Sequence, residues 1–243
     1  MKLPTASKLG LASKCAGSHV LDWHDKPGPA AKVGKRIHKY LELAMEDKTV
    51  DFIDLKIPPY LRKVCAKIDV RALQASLIDI TTEVSYAWHY ERMQSTILGA
   101  KLDRDYKLGA YDIAGTADVV ASNGRYPVVI DFKTGRSIGP VKDAWQMRLL
   151  AMQVGVYLGA ERVEARAVYI DPRYGEIREQ QSHDVHTFDA IDFGVDGLEV
   201  KEIVSNIDTA SKTLLPMLRP GTHCDTMWCP ARKVCPRYEG VNK

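Results

Sequence analysis

Asp118, Asp131 and Lys133 stand out for the chemistry they could do together, within the stretch 115–135, GTADVVASNGRYPVVIDFKTG. Two apolar, β-branched runs, 117–121 and 127–132, are separated by Ser122-Asn123-Gly124-Arg125, whose Asn-Gly pair is a strong hairpin signal. Strand side chains alternate, so Val129, Asp131 and Lys133 share one face and Val128, Ile130 and Phe132 the other. Asp118, on the preceding strand, reaches the same end of the hairpin. A run apolar on both faces suits a central strand, where an unpaired carboxylate or ammonium is costly to bury. Two arrangements would satisfy those charges. One is an Asp–Lys ion pair at a solvent-facing strand end. The other is a hard divalent cation held by carboxylate oxygens, with the lysine turned to an anionic substrate.

The rest of the chain must supply elements that bury this hairpin. At 243 residues, with 45% hydrophobic and 27% charged residues, it has the length and composition of one folded domain with a substantial core. A net charge of +3 does not by itself point to nucleic acid, so any DNA-binding surface is a local patch. No apolar run reaches membrane-spanning length and the first residues lack the apolar core of a secretory signal, so a cytoplasmic location is expected. There, five cysteines read as metal ligands or free thiols rather than disulfides.

In chain order, apolar spacing predicts a helix over 30–46, with Val33, Ile37, Tyr40, Leu41 and Ala44 on its stripe. One or two helices follow in 50–80, broken at Pro58-Pro59, with Cys65 on the core side. The run 80–90, ITTEVSYAWHY, reads as the first strand of the sheet and carries Glu83. Residues 91–112 read as a charged loop with a short strand. After the hairpin a helix is expected over 141–159, presenting Gln146, Leu150, Gln153 and Tyr157 on roughly one face. A second hairpin is expected from 165–171 and 176–180 around Pro172-Arg173-Tyr174-Gly175, and mostly helix over 184–218. The tail packs Cys224, Cys229 and Cys235 into 12 residues, a density that argues for thiolate ligation of a metal or cluster; Cys15, far away in sequence, is available as a fourth ligand.

Gly115-Thr116-Ala117-Asp118 followed by Ile130-Asp131-Phe132-Lys133-Thr134-Gly135 resembles the PD-(D/E)XK nucleases, in particular the RecB-like group that includes CRISPR-associated adaptation nucleases and phage recombination exonucleases. The resemblance implies an α/β fold: a central mixed sheet flanked by helices, the restriction-endonuclease-like core. It also implies roles. Gly34-Lys35-Arg36-Ile37-His38 matches a Gly-x-x-x-His whose imidazole completes the metal shell with Asp118, Asp131 and the carbonyl of Phe132 around Mg2+ or Mn2+. Lys133 contacts the scissile phosphate or the attacking water, and Glu83 supports the site. The family's Gln-x-x-x-Tyr is met only in part: Gln146 is followed by Leu150, while Gln153 and Tyr157 repeat the spacing, so both glutamines stay open. Lys35, Arg36, Arg136 and Lys142 flank the site as contacts for the DNA backbone.

The same group holds a [4Fe-4S] cluster with one cysteine before the core and three after it. That implies a clasp in which segments 1–29 and 219–243 close on a 30–218 core within a single nuclease domain, through Cys15, Cys224, Cys229 and Cys235. The first tail interval is Cys-x4-Cys where the family has Cys-x2-Cys, which keeps zinc as the alternative and His223 as a substitute ligand. The expected activity is metal-dependent hydrolysis of DNA phosphodiesters, in an exonuclease of phage type. Its substrate would be linear DNA, single-stranded or with free ends, and its partners a recombinase, annealing protein or helicase. The alternatives are a nuclease-like DNA-binding module of a recombination or packaging complex, with its site unused, and a zinc-stabilised structural protein.

Overall fold

The turn at Asn123 and Gly124 is where the sheet begins. Gly124 adopts φ +80°, a left-handed conformation that glycine enters without steric cost. Asn123 Oδ1 accepts the amides of Arg125 at 2.9 Å and Tyr126 at 2.8 Å, closing the turn with its own side chain. Strands β3 (Asp112–Ser122) and β4 (Pro127–Lys133) therefore run antiparallel, in the register Val119 to Ile130 and Ser122 to Pro127. The computed structural model describes residues 3–21, 28–102, 105–134, 140–171, 184–226 and 229–238.

Around this pair the sheet grows to six strands in the order β2-β1-β3-β4-β5-β6, with β1 at Ile78–His89, β2 at Gln94–Ala100, β5 at Arg162–Tyr169 and β6 at Asp184–Asp189. Among the described strands only β4 and β5 pair in parallel. That pairing requires a crossover, supplied by helix α6 (Trp145–Leu158). β4 is central and its five inner residues, Val128 to Phe132, are all buried, as its two-sided apolar sequence predicts.

Helices cover both faces. Helix α6, α7 (Ala190–Lys212) and α1 (Ala6–Lys14), with the one-turn α2 (Gly17–Val20) beside α1, build one core layer with Val129, Ala165, Ala167 and Ala117. Helices α3 (Pro29–Met45), α4 (Pro59–Cys65) and α5 (Val70–Gln74) build the other over Val119, Val128, Ile130 and Phe132. In α3 the repeat Ile37, Leu41, Met45 is fully buried, each such side chain contributing about 1.5–3 kcal/mol. Ala6, Leu9 and Ala12 of α1 lie inside the first layer, so the N-terminal segment is part of the main core and not only a clasp on it. Among the described residues no helix is long and apolar enough to cross a membrane.

One expectation fails near the C-terminal half. The partner that pairs antiparallel with β5 is Asp184–Asp189, placed by sequence in a helical region. Its residues alternate, with Phe188 buried and Val185 and Thr187 exposed, before Asp189 caps α7 by accepting the amides of Ile191 and Asp192. The expected strand at 176–180 and its turn fall outside the described residues.

The flank of α3 facing β1 and β2 is a charged network. Glu42 receives Lys39 at 2.6 Å, and Glu46 receives Lys101 at 2.7 Å, Lys48 at 2.5 Å and the hydroxyl of Thr82. Burial works against the Glu46 charge, but the Lys101, Lys48 and Thr82 donors outweigh it and hold its pKa down, from 4.5 to about 2. A depressed acid stabilises the fold above its unfolded pKa and loses that contribution as pH falls toward the folded one. Glu46→Gln should therefore cost about 1 kcal/mol in urea unfolding near neutrality. The difference from the parent should vanish as pH drops from 4.5 to about 2.

Candidate active site

The β3–β4 ladder stops at Val119 and Ile130, and the next pair of positions holds the two aspartates. Asp118 takes over the role of the ladder: its Oδ2 accepts the amide of Phe132 at 2.5 Å. Its Oδ1 lies 3.2 Å from Nδ1 of His38, so both oxygens are engaged. One strand further, Thr82 pairs with Val119 and Val84 with Ala117, which puts Glu83 opposite Asp118. Glu83 sits at φ +52°, and its carbonyl accepts the amide of Lys101 at 2.9 Å.

His38 arrives on α3, and the reason it can is Gly34 one turn earlier. A Cβ at Gly34 would stand 2.6 Å from Oγ1 of Thr134, the residue after β4. With Thr134 placed as it is, a glycine lets the helix approach the strand end this closely, and the next turn then brings the imidazole over Asp118 and edge-on to Phe132, with ring centroids 6.2 Å apart. Burial disfavours a charged His38 ring, but the Asp118 charge and hydrogen bond, with Asp131 and Glu83 beyond, raise its pKa above 6.5 overall.

Asp131, Lys133 and Gln146 form a closed ring. The lysine Nζ is 2.5 Å from Asp131 Oδ2 and donates to Gln146 Oε1 at 2.7 Å, while Gln146 Nε2 donates to Asp131 Oδ1 at 2.5 Å. Asp131 is buried, 4% exposed, and its pKa is raised chiefly by burial, with the Asp118 charge adding and Lys133 opposing. Gln146 occupies the first turn of α6, so the amide end of that helix is presented beside the carboxylate.

The two glutamines left open by the sequence are separated by the fold. Gln153 is fully buried two turns further along α6, where it donates to the carbonyls of Ile113 at 2.9 Å and Tyr86 at 3.4 Å, remote from Asp131. Tyr157 packs edge-on against Tyr86. Of the expected DNA contacts, Lys35 and Lys142 are exposed and Arg36 is half-buried, and Arg136 lies outside the described residues.

Near the termini, Cys15, Cys224 and Cys229 are buried and Cys235 is half-buried. Burial raises the Cys229 thiol pKa, and the Cys224 and Cys15 sulfurs are close enough to raise it further. The amide of Arg219 points at Cys15 Sγ from 3.4 Å, so the two ends of the chain meet at this sulfur.

A sequence-family model described as the PD-(D/E)XK nuclease superfamily matches residues 5–236. The chain belongs to the PD-(D/E)XK nuclease superfamily. No curated protein sequence matches it. Among solved structures, it is similar to SSO0001, at 13% identity over 94% of this chain and 84% of that one, with a TM-score of 0.39. It is also similar to the alkaline exonuclease LHK-Exo of Laribacter hongkongensis, at 11% identity over 84% and 94% with a TM-score of 0.31. For LHK-Exo in complex with dAMP, the values are 12% identity over 86% and 93% with a TM-score of 0.35.

PD-(D/E)XK nucleases generally use divalent cations such as Mg2+, and the donor set here is of the right kind: two carboxylates, an imidazole and the Phe132 carbonyl. Asp131 Oδ2 is buried with the Lys133 ammonium 2.5 Å away, and the His38 ring adds to the compensating charge. As the side chains stand, no three His, Cys, Asp or Glu among the described residues converge to hold an ion. At this strand end protein donors already occupy the acids: Lys133 and Gln146 on Asp131, His38 and Phe132 N–H on Asp118.

Proposed function

We propose that this superfamily member is a metal-dependent DNA nuclease of the RecB-like, phage type, acting as an exonuclease on linear DNA. The observation that carries the reading is the meeting, at one strand end, of Asp118, Asp131, Lys133, His38, Glu83 and Gln146, drawn from five separate elements. Asp118, Asp131, His38 and the Phe132 carbonyl would hold Mg2+ or Mn2+, which lowers the pKa of bound water and offsets charge on the scissile phosphate. Lys133, released from Asp131, would donate to a phosphate oxygen or hold the attacking water. Gln146 steers that amine, since it accepts from Lys133 and donates to Asp131 at once. Glu83, whose charge bears on the His38 ring, would support the site from the neighbouring strand. Lys35, Arg36, Arg136 and Lys142 would bind the backbone of the DNA without reading its sequence. A recombinase, annealing protein or helicase would supply the single strand or free end.

The four cysteines would form a structural [4Fe-4S] clasp joining 1–29 and 219–243 to the 30–218 core of a single domain. Cys224 and Cys229 pack in one small cluster, and Cys15 Sγ lies at the Arg219 amide a few residues before it, which supports this reading; thiolate ligands suit an iron–sulfur cluster or zinc. Anaerobically purified protein should be brown with broad absorption near about 400 nm, from sulfur-to-iron charge transfer. A colourless preparation carrying zinc would overturn the cluster and keep the clasp.

The deciding assay is end-labelled linear DNA with Mn2+ or Mg2+. Cleavage should proceed with metal and stop with EDTA. DNA that binds but stays whole under every divalent ion would leave a nuclease-like binding module instead.

A further inference from the structure

Two residues before Asp118 on β3, Thr116 pairs in register with Ser85 on β1, itself two residues after Glu83. Their hydroxyls are 2.9 Å apart, and the phenol of Tyr106, from the segment between β2 and β3, stands 2.5 Å from Thr116 Oγ1. The three hydroxyls have no other hydrogen-bond partner among the described residues. Each carries one proton, and two contacts use two of the three. One donor is therefore left over. Ser85 is 1% exposed, and stranding an unpaired O–H there is the costly choice. The spare proton thus falls to the half-buried Thr116–Tyr106 end, two residues along β3 from Asp118.

A donor with no acceptor of its own, one strand repeat from Asp118, suits an anionic oxygen brought by the substrate. Two residues along a strand are about 6.6 Å, a step that takes the contact off the scissile group and onto its neighbour. We infer that Tyr106 and Thr116 form a binding subsite for the DNA phosphate adjoining the scissile one, donating a hydrogen bond to its non-bridging oxygen. The inference rests on the nuclease reading of Asp118 and Asp131 and adds to it a contact that fixes the strand relative to the cut. A chain of hydroxyls also strengthens its terminal donor, because each accepted hydrogen bond polarises the next O–H.

The test uses short DNA oligonucleotides in which a single phosphate is replaced by a neutral methylphosphonate, scanned along the strand. Binding is read by fluorescence anisotropy with Ca2+, and cleavage with Mn2+. The parent protein should bind about ten-fold more weakly when the adjoining phosphate is neutralised, the effect of losing one hydrogen bond to a charged group. Tyr106→Phe with Thr116→Val should bind unmodified DNA about ten-fold more weakly and be indifferent to the same replacement, with its melting temperature recorded as a check on folding. Tyr106→Phe alone, which removes a single oxygen, should show part of this loss. If Tyr106→Phe and the double variant both keep the parent's full sensitivity at that phosphate, the subsite is wrong and the nuclease reading stands. If the parent binds with this sensitivity but never cleaves, the nuclease reading falls and the subsite survives. Absence of any DNA binding by the folded parent overturns both.

Discussion

Asp131→Asn is expected to lower metal-dependent DNA cleavage by at least about a thousand-fold, the scale of several kcal/mol of metal-borne charge stabilisation. The same change should leave the fold as stable as before, or slightly more so. The sign follows from burial. Asp131 is 4% exposed and its carboxyl is pushed up from the ordinary carboxylate range, so folding disfavours its charged form at neutral pH. Asparagine keeps the shape and accepts Gln146 Nε2 at the same oxygen, while Lys133, 23% exposed, keeps its bond to Gln146 and turns its remaining protons to water. Function and stability thus pull apart at this residue, as expected where a charge is held for chemistry rather than for packing. Thermal unfolding and a cleavage time course on one preparation check both halves. Undiminished cleavage by the variant would remove Asp131 from the mechanism.

Gly34→Ala should cut cleavage by up to about a hundred-fold, because a displacement on the order of 1 Å at a catalytic group is worth that much. The added methyl would come within 2.6 Å of Thr134 Oγ1, and the helix must lift or Thr134 must turn, moving His38 relative to Asp118. Stability should fall by at most about 2 kcal/mol. Overpacking costs about 1–3 kcal/mol, and replacing a helical glycine by alanine returns close to 1 kcal/mol. Thr134→Ala should restore activity to the Gly34→Ala protein, since the next nearest atom, Thr134 Cβ, lies at 3.7 Å, an ordinary contact. A Gly34→Ala enzyme as active as the parent would mean that the close approach of α3 does not set the position of the imidazole.

Both predictions concern residues whose types and spacing were already legible in the chain. The Asn123-Gly124 turn, the alternation that pairs Asp131 with Lys133, and the one-turn step from Gly34 to His38 are local features, fixed by backbone geometry over a few residues. So is the two-sided apolar run of β4, which tells its central place in the sheet. The α/β class and the helices over α3 and α6 follow from the same kind of evidence.

What the chain could not reveal by itself depended on which distant segments meet. Gln146 and Gln153 lie two turns apart on one face of α6, and periodicity gives them equal claim; only the start of the helix against β4 brings the first to Asp131 and sends the second to the carbonyls of Tyr86 and Ile113. Glu83 gains its place opposite Asp118 from the β1–β3 register, and Tyr106 reaches Thr116 across the end of β3. The strand Asp184–Asp189 was hidden because six residues with one buried aromatic carry little pattern of their own; pairing with β5 decides their form. Local geometry is written in neighbouring residues, whereas cross-strand partners are selected by how whole faces bury together, and that selection is made only when the sheet closes.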